Sequence, residues 1–387
     1  MLDTVVLTLS KGMYYIKEPD RFEPSARLIL DENSSMGSRG YIPAKQNPTK
    51  RELQSGIYKP RLTLTNRFNH TGRREATLKI ELSLPKLLFG NNFDELSIDD
   101  FDPVTKLLKS RLKDMGVMVW EKFLLNAPVS AIHYSKNIPL TDGSTPHYLI
   151  SKINEANIKL SLDINQTDYR NDGHSYKWHA NSYEVAFYDK IKDLEMAKKS
   201  EKRAVERDNA LQLSLFDTFE KRKQLEVLRM EVRLNKRQKI KQLFRTLGIQ
   251  SELTYKNLFS PSISQQVLLH YLDEVESKRL PLFDYKPTSP KSLLADLIIN
   301  NSRLGLKKTV QLYGLKQIFN DITPRELRTM FSGYSQRSWY RLIAEAKTVK
   351  LPPSKSPLEV IREHLTNFEP LKLVDFQDTM LNNDKYN

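Results

Sequence analysis

The sequence predicts an α+β protein in which a largely antiparallel sheet, with helices on one face, precedes an α-helical region. Three observations predict this class. Alternating apolar runs, typical of half-buried strands, recur as far as residue 234. Few helical patterns interrupt them, whereas residues 251–350 are helix-patterned almost throughout. We therefore expect domains at residues 1–250 and 251–350, followed by a C-terminal tail at residues 351–387.

The elements of the first domain follow from the period of the apolar residues. Four alternating runs in the first ninety residues predict strands, namely TVVLTL, ARLILD, PRLTLTNRF and ATLKIELSLP. The polar stretch Asn33–Gln54 predicts a loop between them. Helices are predicted at Pro103–Met115 and near Pro146–Ala156. Further strands are predicted for VSAIHYSKN, NIKLSLDIN and HSYKWHANSYEVAFYDK.

A change of composition marks the end of this run of strands. From Lys190 to about Gln224 the chain is dense in charge, which predicts an exposed helical stretch with a flexible insertion at about 192–224. A strand returns at VLRMEVRLN, and the basic helix KRQKIKQLFRTLG ends at Gly248, a suitable C-cap. One more helix is predicted near Pro357–Thr366.

Composition bounds the function. The chain carries 61 Lys and Arg against 47 Asp and Glu, a net charge of +14, which favours a polyanionic partner such as nucleic acid over a merely solvated basic surface. The absence of cysteine excludes disulfides, thiolate metal sites and cysteine nucleophiles, and fits a reducing cytoplasm. No apolar stretch approaches the ~18 residues that span a bilayer, so we expect no membrane partner.

Three strand-like segments each place a metal-capable side chain among apolar neighbours. These side chains are Glu81, His133 and Glu231. If they converged on neighbouring strands, they would hold a divalent cation, Mg²⁺ or Mn²⁺, that polarises a phosphate. Taken singly, each can equally face solvent or belong to an ion pair.

Tyr188 is the candidate nucleophile. It closes an alternating run and is followed at once by Asp189 and Lys190. On a strand, Lys190 would share the face of Tyr188, where its ammonium would favour the phenolate in the transition state. A tyrosine on a half-buried strand can also be a core residue. Tyr183 and Tyr134 are rival nucleophiles, although neither is followed by the Asp-Lys pair.

Five segments occur in the order found in the gene II protein family of rolling-circle endonucleases from filamentous phages, with plasmid relatives. They are MLDTVVLTL, LKIELSLPKLLFG, VSAIHYSKNIPL, EVAFYDKIKDLE and LRMEVRLNKRQKIKQLFRTLGI, and the chain resembles this family over about residues 1–250. In that family, the tyrosine matching Tyr188 attacks the origin phosphate, becomes linked to the 5′ end and frees a 3′ hydroxyl that primes synthesis. The family lysine matches Lys190, and its acidic strand positions match Glu81 and Glu231. The chain departs from the family at His133, where aspartate is usual, so His133 is either a ligand with another metal preference or a DNA contact.

Residues 212–216, QLSLF, resemble the short peptide by which bacterial replication and repair proteins dock on the DNA polymerase sliding clamp. The clamp-binding residues would be Gln212, Leu213, Leu215 and Phe216. Leu215 and Phe216 would enter an apolar pocket, while Gln212 would hydrogen-bond at its rim. The alternative is an amphipathic helix that packs against its own domain.

Two basic helical segments predict DNA contacts. The segment ITPRELRTMFSGYSQRSWYRLIAEAKTV predicts a helix with Pro324 at its first position, a turn at 332–334, and a second helix capped by Ser335. This is the plan of a helix-turn-helix, although an ordinary helical hairpin has the same pattern. The expected DNA-binding residues are Lys236, Arg237, Lys239, Lys241 and Arg245 in the basic helix, and Gln336, Arg337, Trp339, Tyr340 and Arg341 in the second.

The resemblance implies a rolling-circle replication initiator of a phage or plasmid, acting in a bacterial cytoplasm. Residues 1–250 would be a metal-dependent, site-specific endonuclease and strand transferase, and residues 251–350 a helical DNA-binding domain. The partners would be single-stranded or supercoiled duplex origin DNA, the sliding clamp and a host helicase. A non-catalytic DNA-binding repressor or partition protein, or an RNA-processing enzyme, has the same charge signature.

Overall fold

The large antiparallel sheet expected from the sequence is the core of the molecule. The computed structural model describes residues 1–30, 43–49, 51–52, 55–68, 74–155, 167–170, 172–198, 226–277, 279–280, 282, 285–322, 324–352 and 356–372. Within them, nine strands form one sheet in the order β3-β4-β5-β1-β7-β11-β10-β9-β8, and β2 pairs with β6 in a second, two-stranded sheet. Every strand pair is antiparallel. The α+β class is therefore confirmed.

The strands are β1 Leu2–Leu9, β2 Tyr14–Ile16, β3 Ala44–Gln46, β4 Arg61–Phe68, β5 Arg74–Ser83, β6 Val117–Val119, β7 Val129–Pro139, β8 Thr167–Arg170, β9 Ser175–Ala180, β10 Tyr183–Asp189 and β11 Val227–Leu234. The helices are α1 Arg27–Leu30, α2 Leu84–Phe89, α3 Phe101–Asp114, α4 Glu121–Leu125, α5 Pro146–Glu155, α6 Lys190–Lys198, α7 Arg237–Leu247, α8 Tyr255–Leu258, α9 Pro261–Glu276, α10 Pro290–Asn300, α11 Leu306–Asp321, α12 Pro324–Met330, α13 Gln336–Lys347 and α14 Glu359–Asn367. None of the helices in the described ranges is long and apolar enough to cross a membrane.

One face of the large sheet, the apolar face, is packed under helices. Val5, Leu7 and Leu9 of β1 point to this face and are fully buried. Helix α5 packs against β9 and β10, while α7 and α9 pack against β7 and β11. Apolar side chains of α7, α9 and α14 join the same buried cluster as the strands. Burial of this face is the main stabilising term of the fold.

The opposite face, the polar face, carries the side chains that alternate with the apolar ones. Residues paired directly across antiparallel strands share a face, so the register assigns each side chain. Across the sheet from β5 to β9, the polar face presents Glu81, Thr4, His133, Glu231, Tyr188 and Lys177. Of these side chains, Glu81 is exposed, Thr4, His133, Tyr188 and Lys177 are partly exposed, and Glu231 is buried.

Several predicted elements are confirmed and two are wrong. The stretch Asn33–Gln54, predicted to be a loop, contains strand β3, which pairs with β4. The helices predicted at 103–115, 146–156 and 357–366 correspond to α3, α5 and α14. Gly248 caps α7 with a left-handed φ of 68°. In the run ARLILD, Arg27–Leu30 form a short helix instead of a strand. Its buried side chains, Ala26 and Ile29, are three residues apart, a spacing that suits a helical turn.

Part of the sequence interpretation lies outside the described residues. This applies to the predicted strand NIKLSLDIN at 157–165 and to the charged stretch beyond Lys198. The described beginning of that stretch, α6, is helical as expected.

The division into packing units differs from the predicted domains. Buried side chains of Leu253–Val275 and Leu358–Phe368 belong to the cluster of the large sheet, whereas a second cluster is drawn from residues 280–349. The predicted boundaries at 250 and 351 are therefore not boundaries of packing. Helices α9 and α14 return to the sheet because their apolar side chains cover it, and Arg362 of α14 ion-pairs with Asp273 and Glu276 of α9.

Arg229 joins the central strands at one end of the polar face. Its guanidinium donates to Asp3 Oδ2 at 3.0 Å and Ser135 Oγ at 2.8 Å, which links β11 to β1 and β7. It also donates to Asn137 Oδ1 at 3.2 Å and to the Asn92 carbonyl at 2.7 Å. Arg229 is almost fully buried, so its charge depends on these partners.

We expect Asp3→Ala to lower the free energy of unfolding by about 3–5 kcal/mol, because it leaves the buried Arg229 guanidinium without its counter-ion. Urea unfolding monitored by circular dichroism measures the loss. The matched control is Asp20→Ala, which removes an exposed ion pair with Arg27 and should leave stability nearly unchanged. Similar losses in both variants would contradict the role given to Arg229.

Candidate active site

Tyr188 lies on the polar face, one residue before the end of β10. Its hydroxyl donates a hydrogen bond of 3.1 Å to Glu231 Oε2 on the adjacent strand β11. The ring is half-buried, and the register places Tyr188 directly opposite Arg229. Strand pairing therefore holds the Tyr188 hydroxyl beside the acidic side chain of Glu231.

Glu231 is the centre of a charged network. Arg233 donates to both carboxylate oxygens, from Nε to Oε1 at 2.9 Å and from Nη2 to Oε2 at 3.1 Å. Its third nitrogen, Nη1, donates to Glu184 Oε1 at 2.9 Å, and Lys177 Nζ lies 3.6 Å from the other oxygen of Glu184. Sequence reasoning did not select these partners. The alternation R-x-E-x-R in β11 could have found Arg233, because it puts Arg229, Glu231 and Arg233 on one face.

The surroundings set the charge states of the site. Burial alone would raise the pKa of Glu231, but the Arg233 guanidinium outweighs it and holds this pKa well below its usual range. Burial, together with the charge of Glu231, raises the pKa of Tyr188 well above 10. At neutral pH the pair is therefore a carboxylate that accepts from a phenol, and the hydroxyl is not yet a nucleophile.

His133 is the second predicted metal-ligating residue that the structure brings to the site. Its Nδ1 lies 3.7 Å from Glu231 Oε1. Burial lowers the pKa of His133 and outweighs the attraction of Glu231, so the imidazole is neutral at pH 7. A neutral imidazole and an ionised carboxylate are the protonation states in which these side chains bind metal ions.

Glu81, the third predicted ligand, is not part of this group. It is exposed on β5, and β1 lies between it and His133, a separation of about 10 Å at two strand spacings. In the described ranges, no three His, Asp or Glu side chains come together as a metal ligand set. The predicted triad is thus not assembled. It supplies two donors, His133 and Glu231, and both oxygens of Glu231 are engaged by Arg233.

Lys190 is placed differently from the prediction. Strand β10 ends at Asp189 and α6 begins at Lys190, so the strand alternation that would align Lys190 with Tyr188 does not extend to it. Its side chain is fully buried, and Nζ donates to Asn92 Oδ1 at 2.7 Å. Burial, reinforced by the nearby Arg229, lowers the pKa of Lys190 to about 7. Lys190 therefore anchors the loop around Asn92, which also accepts from Arg229.

The rival tyrosines lie on the apolar face. Tyr134 is fully buried in β7. Tyr183 stacks on Tyr271 with ring centroids 5.7 Å apart, and Lys239 Nζ lies 4.4 Å from its ring centre. Of the three candidate nucleophiles, Tyr188 alone is on the polar face.

The predicted basic helix is α7, and one side of it is a row of cations. Arg237, Lys241 and Arg245 follow each other at four-residue intervals and line a groove of about 530 Å³ together with residues 249–254. Lys236, the N-cap residue, is exposed. Lys239 is not part of this row. Its ammonium lies over the ring of Tyr183, on the side of α7 that faces the sheet.

The predicted helix-turn-helix corresponds to α12 and α13. In α13, Arg337, Tyr340 and Arg341 are exposed and available to a partner. Trp339 is not: it is only 7% exposed and belongs to the second hydrophobic cluster, so its assignment as a DNA contact is wrong. A tryptophan at this helical spacing from Ile343 serves the core. The side chain of Gln336 lies outside what the structure describes.

The clamp-like residues Gln212, Leu213, Leu215 and Phe216 also lie outside the described residues.

Comparison with models of known protein families, with curated proteins and with solved structures gives no match to this chain.

We expect Lys190→Met to change how stability depends on pH. The folded-state pKa near 7 lies below the usual 10.5, so between these values the unfolded chain binds a proton that the folded chain does not. This contribution makes the wild type more stable as pH rises from 7 to 9, by about 1–3 kcal/mol, and the variant lacks it. Urea unfolding at pH 7, 8 and 9 measures the difference. The control Lys192→Met changes an exposed lysine of the same helix, and a difference no larger than that of the control would contradict the assignment.

Proposed function

We propose that the protein is a metal-dependent, site-specific DNA endonuclease and strand transferase that initiates rolling-circle replication of a phage or plasmid. The observation that carries the proposal is the hydrogen bond of the Tyr188 hydroxyl to Glu231 on the polar face, beside Arg233 and His133. A nucleophile, a proton acceptor and a cation that can bind phosphate thus lie together on a surface that retains access to solvent.

In the nicking step, the Tyr188 oxygen attacks the phosphorus of the scissile phosphodiester. The P–O3′ bond breaks, and the tyrosine becomes linked to the phosphate at the 5′ end. The phenolic proton passes to Glu231, and the departing 3′ oxygen takes a proton from water. Rejoining reverses these steps, because the phosphotyrosine preserves the energy of the broken bond. The freed 3′ hydroxyl primes synthesis.

Arg233 couples substrate binding to this step. Its guanidinium is a bidentate phosphate binder, but in the structure it is committed to Glu231 and Glu184. An incoming phosphate competes for it. When Arg233 turns to the phosphate, its hydrogen bonds to Glu231 are released, and Oε2 is left to accept the Tyr188 proton.

His133 and Glu231 would hold the divalent cation, Mg²⁺ or Mn²⁺. Two protein ligands are enough when a phosphate oxygen and water complete the shell, which is common for Mg²⁺. The cation would polarise the scissile phosphate and stabilise its developing charge. The withdrawal of Arg233 would also open Oε1, the oxygen nearer His133, to the cation.

The remaining partners are proposed from the basic helices, from the reaction and from the sequence of residues 212–216. The cation row of α7, with Arg337, Tyr340 and Arg341 of α13, would bind origin DNA through its phosphates. A strand freed at a nick must be unwound, which implies a host helicase. The sliding clamp remains the proposed partner of residues 212–216. The compartment would be the cytoplasm of a bacterial host.

We expect the wild type to nick supercoiled plasmid carrying the element's own origin in the presence of Mg²⁺ or Mn²⁺, with protein attached to a 5′ end. Tyr188→Phe should abolish both products, because it removes the attacking oxygen. The matched control is Tyr183→Phe, on the same strand but on the apolar face, which should nick normally. Denaturing gels with end-labelled DNA read out the linkage.

Equal nicking by wild type and Tyr188→Phe would contradict the assignment of Tyr188 as the nucleophile. Binding to the origin without nicking by the wild type, at any divalent metal concentration, would favour the non-catalytic repressor or partition protein. Preferential cleavage of RNA would favour the RNA-processing alternative. Chelation by EDTA should abolish nicking and leave salt-dependent DNA binding in place.

The cation row of α7 predicts the salt dependence of binding. Each cation that neutralises a phosphate contributes about −0.9 to the slope of log K against log salt for duplex DNA. We therefore expect Lys241→Ala and Arg245→Ala each to reduce the magnitude of this slope by about one. Fluorescence anisotropy across a salt series measures it. Lys256→Ala, on α8, is the control that should keep the wild-type slope.

A further inference from the structure

The two-stranded sheet of β2 and β6 presents a row of exposed apolar side chains. Ile16, Val117 and Val119 point inward and are buried. The alternating residues Tyr15 and Met118 are direct cross-strand partners and point outward, with 59% and 47% of their surfaces exposed. Two residues beyond Met118 lies Trp120. We call Tyr15, Met118 and Trp120 the aromatic platform.

The exposure of Trp120 is unusual within this chain. Of its three tryptophans, Trp178 and Trp339 are 1% and 7% exposed, whereas Trp120 is 61% exposed. Tryptophan is normally buried for most of its area, and adjoining exposed apolar side chains mark interaction sites. The ring of Trp120 is held edge-on by Phe123, at 6.3 Å between centroids.

The backbone beneath the platform is well fixed. The Lys17 amide donates to the Gly116 carbonyl at 2.8 Å, which closes the end of the small sheet. Gly116 has a φ of 75°, and a Cβ there would come within 2.7 Å of Glu18. On the other side, the Tyr14 hydroxyl donates to the Ala76 carbonyl of β5 at 3.0 Å. These contacts hold the backbone that carries the exposed rings, and a site held in place before binding lowers the entropic cost of binding a flat ligand.

The charges around the platform are complementary to an anion. Lys17 and Lys122 are exposed, each two residues beyond an aromatic residue of the platform. The neighbouring carboxylates are neutralised by their own ion pairs. These pairs are Glu18 with Arg21 at 2.6 Å and Glu121 with Lys109 at 3.2 Å.

We propose that the aromatic platform binds single-stranded DNA, with bases stacked on Trp120 and Tyr15 and phosphates held by Lys17 and Lys122. Stacking on exposed aromatic rings combined with flanking cations is the physical basis of sequence-tolerant single-strand binding. The choice of DNA rests on the proposed function, in which nicking creates a displaced strand. The platform is separate from Tyr188 and would hold that strand, or the unpaired origin, without taking part in the chemistry.

Trp120 provides its own probe. Because the other two tryptophans are buried, base stacking on Trp120 should quench much of the accessible tryptophan fluorescence when a 15-nucleotide oligothymidylate is added to the full-length protein. Trp120→Ala should weaken binding about ten-fold or more, as measured by anisotropy of labelled oligothymidylate. Trp120→Phe should retain most of the affinity but lose the quenching. Tyr15→Ala should lose affinity as Trp120→Ala does.

The matched control is Tyr148→Ala, which removes another exposed tyrosine, on α5, and should bind as the wild type does. Tyr188→Phe should keep both binding and quenching, so a failure of the nicking assignment is distinguishable from a failure of the platform. Unchanged affinity in both alanine variants would overturn the proposal. Binding of oligouridylate at least ten-fold tighter than that of oligothymidylate would also overturn it. A third contrary outcome is a wild-type dimer, detected by light scattering, that the Trp120→Ala substitution dissociates.

Discussion

The candidate site depends on the hydrogen bonds that stabilise the buried negative charge of Glu231. A carboxylate that is 3% exposed stays ionised only if its environment replaces water, and here Arg233 and Tyr188 do so with three hydrogen bonds. Each partner is in place because of strand register: Arg233 is two residues along β11, and Tyr188 is on the neighbouring β10. A slip of one residue in that pairing would move Tyr188 to the apolar face and leave the carboxylate without it.

The unequal faces of the sheet explain why such a network can exist at its surface. Helices α5, α7, α9 and α14 bury their apolar sides against one face of the sheet, whereas α10 to α13 bury theirs in the second cluster. The other face is left to polar side chains, which stabilise one another across strands instead of through a hydrophobic cover. At one end of the polar face, Arg229 and Lys190 hold the loop at Asn92 in place by hydrogen bonds, while His133, Tyr188 and Lys177 remain partly exposed.

Many of the strands and helices, and several site residues, could be predicted from the local sequence pattern. Period-two alternation identified β1, β5, β7, β10 and β11, and helical period identified α3, α5 and α7, because each pattern is written in consecutive residues. The same logic placed Tyr188, His133 and Glu231 on strands. It did not reveal that Glu81 is separated from His133 by β1, since strand order is set by packing between distant segments. The position of Lys190 was predicted wrongly. Strand β10 ends at Asp189, so the alternation that would align Lys190 with Tyr188 stops one residue short. Trp339 was taken for a DNA contact because an aromatic residue in a basic helix has the same local sequence whether it faces a partner or a core.

The sequence by itself determined the α+β class, the strands that carry the candidate site, the basic helix and the net positive charge. These properties depend on composition and on periods of two or about 3.6 residues, which the chain carries wherever it folds. Tertiary structure alone decided which side chains meet: Tyr188 with Glu231, Glu231 with Arg233 and Arg229 with Asp3, the last pair 226 residues apart in the chain. It also decided that Trp120 stays exposed while Trp178 and Trp339 are buried. Such contacts arise when apolar surfaces from remote segments are buried together, and no local pattern records which segments those will be.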